Sequence, residues 1–465
     1  MNESKADRQG LPLFPWPRRL IIVPPIRWSK RERVFKKVFL KGEFGMGERK
    51  LVVIMVGLPA RGKTFLSLRL KRYLEWQGYG VMIFNAGRYR RDILGMGSSR
   101  SEFFDPLVKR FAKERERIAE RCFGDLTEWL RAGGDVGIYD ATNVTRARRE
   151  YLRGESVANG FDHLFVENIC DSPEVIEEII KIKITRSVDY RDKDMEAAKR
   201  DFLERMRHYE SVYEPVDEDF PHIKVFNFGE KVTRRFDPRH ILFDEMADFL
   251  GGINLAKKEV YITRHGETFF NLEDRIGGDS ALTESGVEYA RELSRFFHGM
   301  DLVVFTSRKK RTVETGRFFD CERVELEELN EIDSGICDSM TYEEIKLKHP
   351  EIHRSRSLDK FNFRYPRGES YRDLIQRVKK AVVRIESQRR DVLVIAHRAV
   401  NRCLFSYFIP TPSRDIPYIE MPLNRIVRVY HRGALYDHEV SSVEGGGGGR
   451  GVSPRDRGLQ HPPRG

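Results

Sequence analysis

One eight-residue segment constrains the fold of this chain more than any other feature. The segment Gly57-Leu58-Pro59-Ala60-Arg61-Gly62-Lys63-Thr64 fits the pattern GxxxxGK[ST]. An apolar run over residues 51–56 before it predicts a buried strand, and an amphipathic run over residues 65–76 after it predicts a helix. In a strand, loop and helix of this kind, backbone N–H groups, a lysine and a hydroxyl hold nucleotide phosphates and Mg²⁺. We therefore predict a nucleotide site at Gly57 to Thr64.

A carboxylate is expected near the metal at the end of another strand. Residues 136–139 predict such a strand, and Asp140 closes it. We predict that Thr64 and Asp140 bind Mg²⁺, with the alternative that Asp140 only caps the following helix. Nearby loops concentrate arginines that can attract an anionic acceptor. They are Arg90, Arg91, Arg115, Arg146, Arg148, Arg149 and Arg205.

Short apolar runs alternate with helical patterns through most of the chain. Strands are predicted at residues 51–56, 81–84, 136–139, 163–166 and 223–228, then at 260–263, 302–306 and 392–396, with a late antiparallel strand at 425–430. Helices are predicted at residues 65–76, 283–297 and 369–387, and irregular chain at 407–422. Alternating strands and helices predict an α/β fold with parallel sheets. We place a domain boundary near residues 251–254.

The second predicted strand series carries a different phosphate chemistry. Arg264-His265-Gly266-Glu267-Thr268 stands at the tip of the strand at 260–263. A neutral imidazole can attack phosphorus while an adjacent arginine neutralises its oxygens. The strand at 392–396 ends in His397, and parallel strands bring their ends to one edge. Arg311 follows a third strand, and Glu331 is the candidate proton donor to a leaving alcohol.

The charge of the chain lies mainly at its ends. The 465 residues carry a net charge of +11, but residues 1–50 hold 13 Lys and Arg against 5 Asp and Glu, and residues 51–441 hold 66 against 65. We predict that the basic extension at 1–49 is a mobile solvated arm, with the alternative of a regulatory phosphosite in Arg27-Trp28-Ser29-Lys30-Arg31, and that residues 442–465 form a flexible Gly-rich tail. The nearly neutral body argues against nucleic acid. Five scattered cysteines and the lack of a long apolar run favour a cytoplasmic protein with no membrane contact.

A P-loop domain followed by a phosphohistidine domain resembles the 6-phosphofructo-2-kinase/fructose-2,6-bisphosphatases. The resemblance covers about residues 50–440 and rests on the segments GLPARGKT, YRRD, DATN, RHGE, RIGG, NEID, TYEEI, YPRGESY and AHRAVNRC. It implies a P-loop NTPase-like kinase domain at 50–252, with helices on both faces of a parallel sheet. A histidine-phosphatase domain of the phosphoglycerate mutase type at 253–441 would follow. The resemblance also suggests a homodimer.

The resemblance implies two opposed reactions and a set of residues. The first domain would transfer phosphate from MgATP to O2 of fructose 6-phosphate, and the second would hydrolyse fructose 2,6-bisphosphate through a phosphohistidine on His265. The implied catalytic residues are Lys63, Asp140, Cys170, Arg264, His265, Arg311, Glu331 and His397. The implied substrate contacts are Arg90, Arg115, Thr142, Arg148, Arg205 and Tyr209 in the kinase and Asn271, Gly277, Tyr342, Arg356, Lys360, Tyr371 and Arg402 in the phosphatase.

The chain departs from the family pattern at three positions. Ile179 stands where the family has a nucleotide-contacting Asn, and Ile184 stands where it has a Lys that touches fructose 6-phosphate. Lys183 is adjacent, but one step along a helix turns a side chain by about 100°. Arg398 replaces the usual Gln beside His397. We hypothesise that the balance of activities leans toward the phosphatase.

Two other functions use the same parts. A nucleic-acid end-processing kinase-phosphatase would need a basic, aromatic-lined groove, which a nearly neutral body disfavours. A non-catalytic sensor could retain both folds and bind sugar phosphates to regulate a partner. The presence of every phosphatase catalytic residue type favours an enzyme over this sensor.

Overall fold

The computed structural model describes residues 50–95, 100–186, 190, 194–236, 240–432 and 435–443. The basic extension at 1–49 and residues 444–465 of the predicted tail lie outside the described residues, whereas Ser442 ends the last strand. Within the described residues, no helix is long and apolar enough to cross a membrane.

Two six-stranded sheets organise the chain. The first has the order β2-β3-β1-β4-β5-β6 and the second the order β12-β11-β7-β10-β8-β9. The strands of the first sheet are β1 Leu51–Val56, β2 Val81–Asn85, β3 Val136–Asp140, β4 Asp162–Ile169, β5 His222–Phe226 and β6 Lys231–Arg235. The strands of the second are β7 Val260–Arg264, β8 Leu302–Thr306, β9 Arg323–Glu325, β10 Asp391–Ala396, β11 Arg425–Arg432 and β12 Leu435–Ser442.

The prediction of parallel sheets is confirmed, with antiparallel strands at one edge of each. β6 pairs antiparallel with β5, and β11 pairs antiparallel with both β7 and β12. The predicted strand at 223–228 is wrong at its end, because Asn227 and Phe228 have φ of 46° and 57° and turn the chain away. The sequence analysis did not predict β6, which is mostly exposed and has no apolar run.

Helices cover both faces of the first sheet. In β1, Leu51, Val53 and Met55 pack in one apolar cluster, whereas the alternate residues pack in another. The helices of this half are α1 Lys63–Trp76, α2 Ala86–Leu94, α3 Lys109–Arg131, α4 Arg146–Ala158, α5 Pro173–Arg186, α6 Met195–Glu210 and α7 Ile241–Gly252. The alternation of β1 side chains between two clusters is the pattern of a strand buried on both faces.

The second half follows the same plan. Its helices are α8 Phe269–Leu272, α9 Glu284–Phe296, α10 Lys310–Gly316, α11 Tyr342–Lys348, α12 Pro350–Leu358, α13 Tyr371–Ser387 and α14 Arg398–Phe408. The predicted helices at 283–297 and 369–387 are confirmed, with Thr283 and Ser370 as their N-caps. The segment predicted as irregular at 407–422 contains a 3₁₀ helix, Ser413–Tyr418.

The predicted domain boundary falls at the end of a packed helix. Gly251 and Gly252 are the last residues of α7, and a Cβ on Gly252 would lie 3.0 Å from the carbonyl oxygen of Val383 in α13. A single apolar cluster includes residues of both sheets, among them Met55 and Ile262. The two halves therefore share a continuous core, and the exact boundary stays a prediction.

A buried ion cluster also joins the two halves. The carboxylate of Glu386 in α13 pairs with Arg69 of α1 and accepts hydrogen bonds from the hydroxyls of Tyr407 at 2.7 Å and Tyr436 at 3.2 Å. Burial raises the pKa of Glu386, but the charges of Arg69 and Lys258 outweigh burial and lower it. Glu386 is therefore held ionised between the two halves.

Removing the charge of Glu386 should destabilise the fold. In Glu386→Gln, the buried cations Arg69 and Lys258 lose their shared carboxylate, and an unpaired buried charge costs about 3–5 kcal/mol. Urea unfolding would measure the loss in the free energy of unfolding.

The matched control is Glu288→Gln. This change breaks the ion pairs of Glu288 with Arg291 and Arg295, and all three side chains are about half exposed or more. Pairs of this kind contribute up to about 1 kcal/mol. Equal, small losses in the two variants would contradict the prediction.

Candidate active sites

The glycine-rich loop after β1 lies against the ends of two other strands. Gly57 has φ of 137°, and a Cβ there would lie 2.5 Å from the carbonyl oxygen of Asn168. Gly62 has φ of 88° and would meet the ring of Phe228 at 2.3 Å. Both positions therefore require glycine. The N–H of Gly57 donates to the carbonyl oxygen of Thr142 at 3.0 Å, which ties the loop to the chain after β3.

Asp140 lies beside the threonine of the loop. Thr64 Oγ1 donates to Asp140 Oδ2 at 2.8 Å, and Asn85 Nδ2 donates to the same oxygen at 2.6 Å. The alternative that Asp140 caps the next helix is wrong, because Thr145 accepts the capping hydrogen bond of α4. The sequence analysis missed Asn85, although it ends β2 and pairs in register with Asp140.

The two predicted metal ligands fit a magnesium ion. Mg²⁺ is usually held by one or two carboxylates, a hydroxyl, water and substrate phosphates rather than by a full protein cage. Thr64 and Asp140 supply the hydroxyl and the carboxylate side by side. Among the described residues, no group of three or more His, Cys, Asp or Glu could hold a metal by itself. A metal here would therefore depend on the nucleotide.

Lys63 begins α1 and points back into the loop. Its Nζ donates to the carbonyl oxygen of Leu58 at 2.7 Å. Burial lowers the pKa of Lys63 to about 7, Asp140 opposes this shift, and the cations Lys183 and Arg205 add to it. The loop thus holds a lysine whose positive charge is disfavoured until an anion arrives.

Four of the predicted sugar-phosphate contacts gather around adjacent phenylalanines. The Arg90 and Arg205 guanidinium carbons lie 5.0 and 3.8 Å from the ring centroid of Phe104, and the Tyr209 ring lies 5.8 Å from it. Arg115 lies 5.9 Å from the ring of Phe103. The sequence analysis missed these aromatic residues, because Ser101–Phe104 is a short 3₁₀ helix with no periodic pattern.

Other predicted kinase residues lie apart from this cluster. Arg148 Nη2 donates to the hydroxyl of Tyr139 at 3.2 Å, and the carbonyl oxygen of Thr142 accepts from the N–H of Gly57 in the glycine-rich loop. Two of the arginines expected to attract an anion form ion pairs instead: Arg149 is fully buried against Glu218, and Arg146 pairs with Asp217. That expectation is therefore wrong for the fully buried Arg149, whereas for the half-exposed Arg146 it stays a prediction.

Cys170 lies just beyond β4, on the side of the P-loop. It is buried in the apolar core, and burial raises the pKa of its thiol. A thiol of raised pKa stays protonated at neutral pH and is a poor nucleophile or base. The structure thus gives Cys170 a buried, protonated thiol, and its catalytic role stays a prediction.

Two of the three departures from the family pattern lie on α5, and the third, Arg398, begins α14. Ile184 is buried in an apolar cluster with Ala60 of the loop, while Ile179 packs partly buried against the same cluster. Lys183 is exposed, yet its charge reaches Lys63 and lowers the pKa of that residue. The chain thus has packed apolar side chains at positions 179 and 184. The cation Lys183 lies one residue before the position where the family has its lysine.

Three parallel strands bring the second site together. β10 pairs with β7, with Ala396 opposite Arg264, and with β8, with Ile395 opposite Thr306. Their ends open into a cavity of about 480 Å³ that contains every predicted phosphatase residue except the fully buried His397 beside it. These lining residues are Arg264, His265, Asn271, Gly277, Arg311, Glu331, Tyr342, Arg356, Lys360, Tyr371 and Arg402.

His265 is held as a neutral imidazole. Its Nδ1 lies 2.8 Å from the carbonyl oxygen of Gly266, which can only accept, so Nδ1 carries the proton. Burial, with the charges of Arg311 and Arg264, holds the pKa of His265 well below its usual range. Nε2 therefore keeps its lone pair. The rings of His265 and His397 lie 5.3 Å apart.

The pocket is lined by seven Lys and Arg side chains and by three carboxylates, those of Asp274, Glu331 and Glu343, so its cations outnumber its anions. Burial and the charges of Arg398 and Arg402 together lower the pKa of Arg264 to about 9, and the charge of Glu331 opposes this shift. Burial also lowers the pKa of Lys360 to about 7, together with Arg356, Arg402 and Arg398. An anionic ligand would relieve this repulsion.

The cations divide between two parts of the pocket. The charges of Arg264 and Arg311 act on His265, whereas two other cations form hydrogen bonds with tyrosines: Arg356 donates to Tyr342 and Arg402 to Tyr371, both at 3.0 Å. Such a division suits a ligand with two anionic groups.

The remaining predicted residues support the pocket wall. Glu331 Oε1 accepts from the N–H of Ile332 at 2.9 Å, which fixes the carboxylate. The Asn271 amide oxygen caps α8. Gly277 has φ of 71°, and a Cβ there would lie 1.8 Å from Asp338 Oδ1. Two buried hydroxyls behind His397, those of Ser307 and Thr312, were missed, although Ser307 directly follows β8.

Family comparisons agree with this division of the chain. A family model described as 6-phosphofructo-2-kinase matches residues 44–237, and one described as histidine phosphatase superfamily (branch 1) matches residues 260–437. Both matches coincide with the two sheets and the two candidate sites.

Several curated relatives match most of the chain. The protein named 6-phosphofructo-2-kinase/fructose-2,6-bisphosphatase 1 of Rattus norvegicus is 40% identical over 386 residues, which cover 81% of each chain. The protein named 6-phosphofructo-2-kinase/fructose-2,6-bisphosphatase 4 of Homo sapiens is 40% identical over 387 residues, covering 81% of this chain and 82% of the relative. An Arabidopsis thaliana relative is 40% identical over 398 residues, covering 82% of this chain and 52% of that protein. With both sites in place, this chain belongs to the 6-phosphofructo-2-kinase/fructose-2,6-bisphosphatase family.

Proposed function

We propose that this chain is a bifunctional enzyme that makes and removes fructose 2,6-bisphosphate. One half transfers the γ-phosphate of MgATP to O2 of fructose 6-phosphate. The other half hydrolyses the 2-phosphate of fructose 2,6-bisphosphate. The observation that carries this proposal is the coexistence of a P-loop with Thr64 beside Asp140 and a cationic pocket around a neutral His265. We further propose a cytoplasmic homodimer, on the strength of the family alone.

In the kinase half, the residues orient the nucleotide and the sugar. Lys63 becomes a full cation against the β- and γ-phosphates, and the loop N–H groups hold their oxygens. Thr64 and Asp140 would hold Mg²⁺, which when bound neutralises charge on the phosphates. Asp140 serves this metal side because its Oδ2 already bonds Thr64. The O2 oxygen then forms a bond to the γ-phosphorus as the bond to the β-phosphate oxygen breaks, and the hydroxyl proton is released to solvent.

The sugar phosphate is held by the arginine cluster around Phe104. Arg90 and Arg205 lie over its ring, and Arg205 also reaches Lys63 electrostatically. The 6-phosphate would pair with these guanidinium groups, which points the sugar toward the P-loop.

In the phosphatase half, His265 Nε2 attacks the phosphorus of the 2-phosphate. The bond between phosphorus and O2 breaks, and O2 takes a proton from Glu331. Arg264 and Arg311 neutralise the phosphoryl oxygens during the transfer. Water then attacks the phosphohistidine, gives its proton back to Glu331, and frees His265.

Single substitutions should separate the two activities. Lys63→Met should lower kinase turnover by roughly 10²–10³-fold, the cost of losing one charge-stabilising donor, and leave the phosphatase unchanged. His265→Ala should abolish hydrolysis and leave the kinase unchanged. Both activities are measured on the same preparation of each variant.

A label experiment identifies the phosphatase nucleophile. Fructose 2,6-bisphosphate carrying a radiolabelled 2-phosphate should label wild type at His265 in an acid-labile form. Lys71→Met, on the same helix as Lys63, is the control for Lys63→Met and should leave both the kinase and the phosphatase activity unchanged. Unchanged hydrolysis in His265→Ala, with label elsewhere, would sink the phosphatase assignment.

Nucleotide binding should take up a proton at alkaline pH. The pKa of Lys63 is about 7 in the free protein, so at pH 8 most molecules hold a neutral lysine. Bound phosphates favour the ammonium, so binding of a non-hydrolysable MgATP analogue takes up close to one proton at pH 8. Titration calorimetry in buffers of different ionisation enthalpy counts this proton. Equal uptake by wild type and Lys63→Met would contradict the prediction.

The balance of activities should favour the phosphatase. Ile179 and Ile184 present apolar packing where the family has polar contacts to nucleotide and sugar phosphate. At saturating substrates, the ratio of kinase to phosphatase turnover is expected to be below one. Ile179→Asn, which restores the amide, should raise kinase kcat/KM for ATP by up to about 10-fold, the worth of one hydrogen bond.

Ile176→Asn provides the matched control, since Ile176 packs partly buried in the same clusters three residues earlier on α5. It should show the stability loss of Ile179→Asn without the gain in activity. A turnover ratio well above one in wild type would refute the bias.

A further inference from the structure

Two fully buried hydroxyls stand behind the second histidine of the phosphatase pocket. Ser307 follows β8, and Thr312 lies in the first turn of α10. Ser307 Oγ lies 2.8 Å from His397 Nε2 and 2.7 Å from Thr312 Oγ1. Neither residue lines the cavity, so their chemistry reaches the substrate only through His397.

The neighbours of His397 decide which of its nitrogens carries the proton. Arg311 Nε donates to His397 Nδ1 at 3.2 Å, and a guanidinium has no acceptor, so Nδ1 accepts. A neutral imidazole has one N–H, which then lies on Nε2 and donates to Ser307 Oγ. Burial, with the charges of Arg311, His265, Arg264 and Lys309, lowers the pKa of His397 well below its usual value. The ring is therefore neutral.

The proton directions continue beyond Ser307. The Thr312 hydroxyl donates to the carbonyl oxygen of Lys309 at 2.8 Å or to that of Ser307 at 3.0 Å. Thr312 Oγ1 is then free to accept from the Ser307 hydroxyl. The N–H of Lys309 also donates to Ser307 Oγ at 3.0 Å. Every donor in this chain therefore has an acceptor when His397 carries its proton on Nε2, whichever carbonyl oxygen the Thr312 hydroxyl uses.

We propose that Ser307, supported by Thr312, is a positioning residue that holds His397 in its Nε2–H tautomer. This inference rests on the proposed phosphatase function and deepens it. With the proton on Nε2, the Nδ1 edge stays an acceptor for Arg311 and anchors that guanidinium next to His265. The opposite tautomer sets the Nδ1–H against the N–H of Arg311 and pushes the guanidinium away.

Loss of this anchor should affect turnover more than binding. The second set of cations, Arg356, Lys360 and Arg402, holds the other end of the ligand without contact to Ser307. Supporting hydrogen bonds of this kind typically change activity by roughly 10–100-fold. Ser307→Ala should therefore lower phosphatase kcat within that range and leave KM within about threefold.

The decisive measurement is the tautomer of His397 in the full-length free protein. Two-bond ¹H–¹⁵N correlation spectra of ¹⁵N-histidine protein at pH 7.5 distinguish Nδ1–H from Nε2–H rings, and His397→Ala assigns the resonance. Wild type is expected to show Nε2–H. Ser307→Ala should show mixed tautomers, and Ser307→Thr, which keeps the hydroxyl, should restore the wild-type pattern.

Ser294→Ala is the matched control, because Ser294 donates a partly buried hydrogen bond to the carbonyl oxygen of Phe318 and lies away from His397. Its spectrum and turnover should equal those of wild type. An Nδ1–H ring in wild type overturns the inference, and this spectrum needs no variant of Ser307 to fold. A wild-type tautomer together with wild-type kcat in Ser307→Ala also overturns it. If wild-type His397 carries its proton on Nε2 but the protein does not hydrolyse fructose 2,6-bisphosphate, the proposed phosphatase function is refuted rather than the inferred tautomer.

Discussion

Both candidate sites depend on parallel strands that end at the same edge of a sheet. In the first sheet this pairing sets Asn85 opposite Asp140 beside the loop that follows β1. In the second sheet it sets Arg264 opposite Ala396, so that His265 and His397 emerge side by side. Because backbone hydrogen bonds fix the register, polar residues that directly follow the strands meet without any contact of their own. The remaining residues of each site are added by helices and loops around this edge.

Burial of positive charge is the second shared property of the sites. Lys63, Arg264 and Lys360 all have lowered pKa values because they are buried among other cations. The same surroundings hold His265 neutral, which keeps its Nε2 available for attack. A phosphate supplies the missing negative charge, so both sites are electrostatically matched to their anionic ligands before binding.

The helices that begin at the two sites touch at their other ends. α1 begins at Lys63, and α14 begins directly after His397. Near the end of α1, Trp76 Nε1 donates to the carbonyl oxygen of Cys403 at 3.1 Å, and Arg72 Nε donates to that of Tyr407 at 2.6 Å. Together with the buried Glu386 cluster, these contacts join the two halves through polar and apolar packing rather than through a linker.

The sequence alone determined the α/β class, most strands, the P-loop and the segment around His265, because local hydrophobic period and motif spacing encode them. The outer residues of the phosphatase pocket came from the family resemblance. The sequence left the domain boundary and the residue roles as predictions. Only the tertiary structure revealed Asn85 beside Asp140, Ser307 behind His397, and the phenylalanines under the arginines. It also assigned Arg149 to Glu218, whereas the sequence had suggested an anionic substrate. Partners of this kind are distant along the chain, and register and packing, which no local pattern records, decide which of them meet.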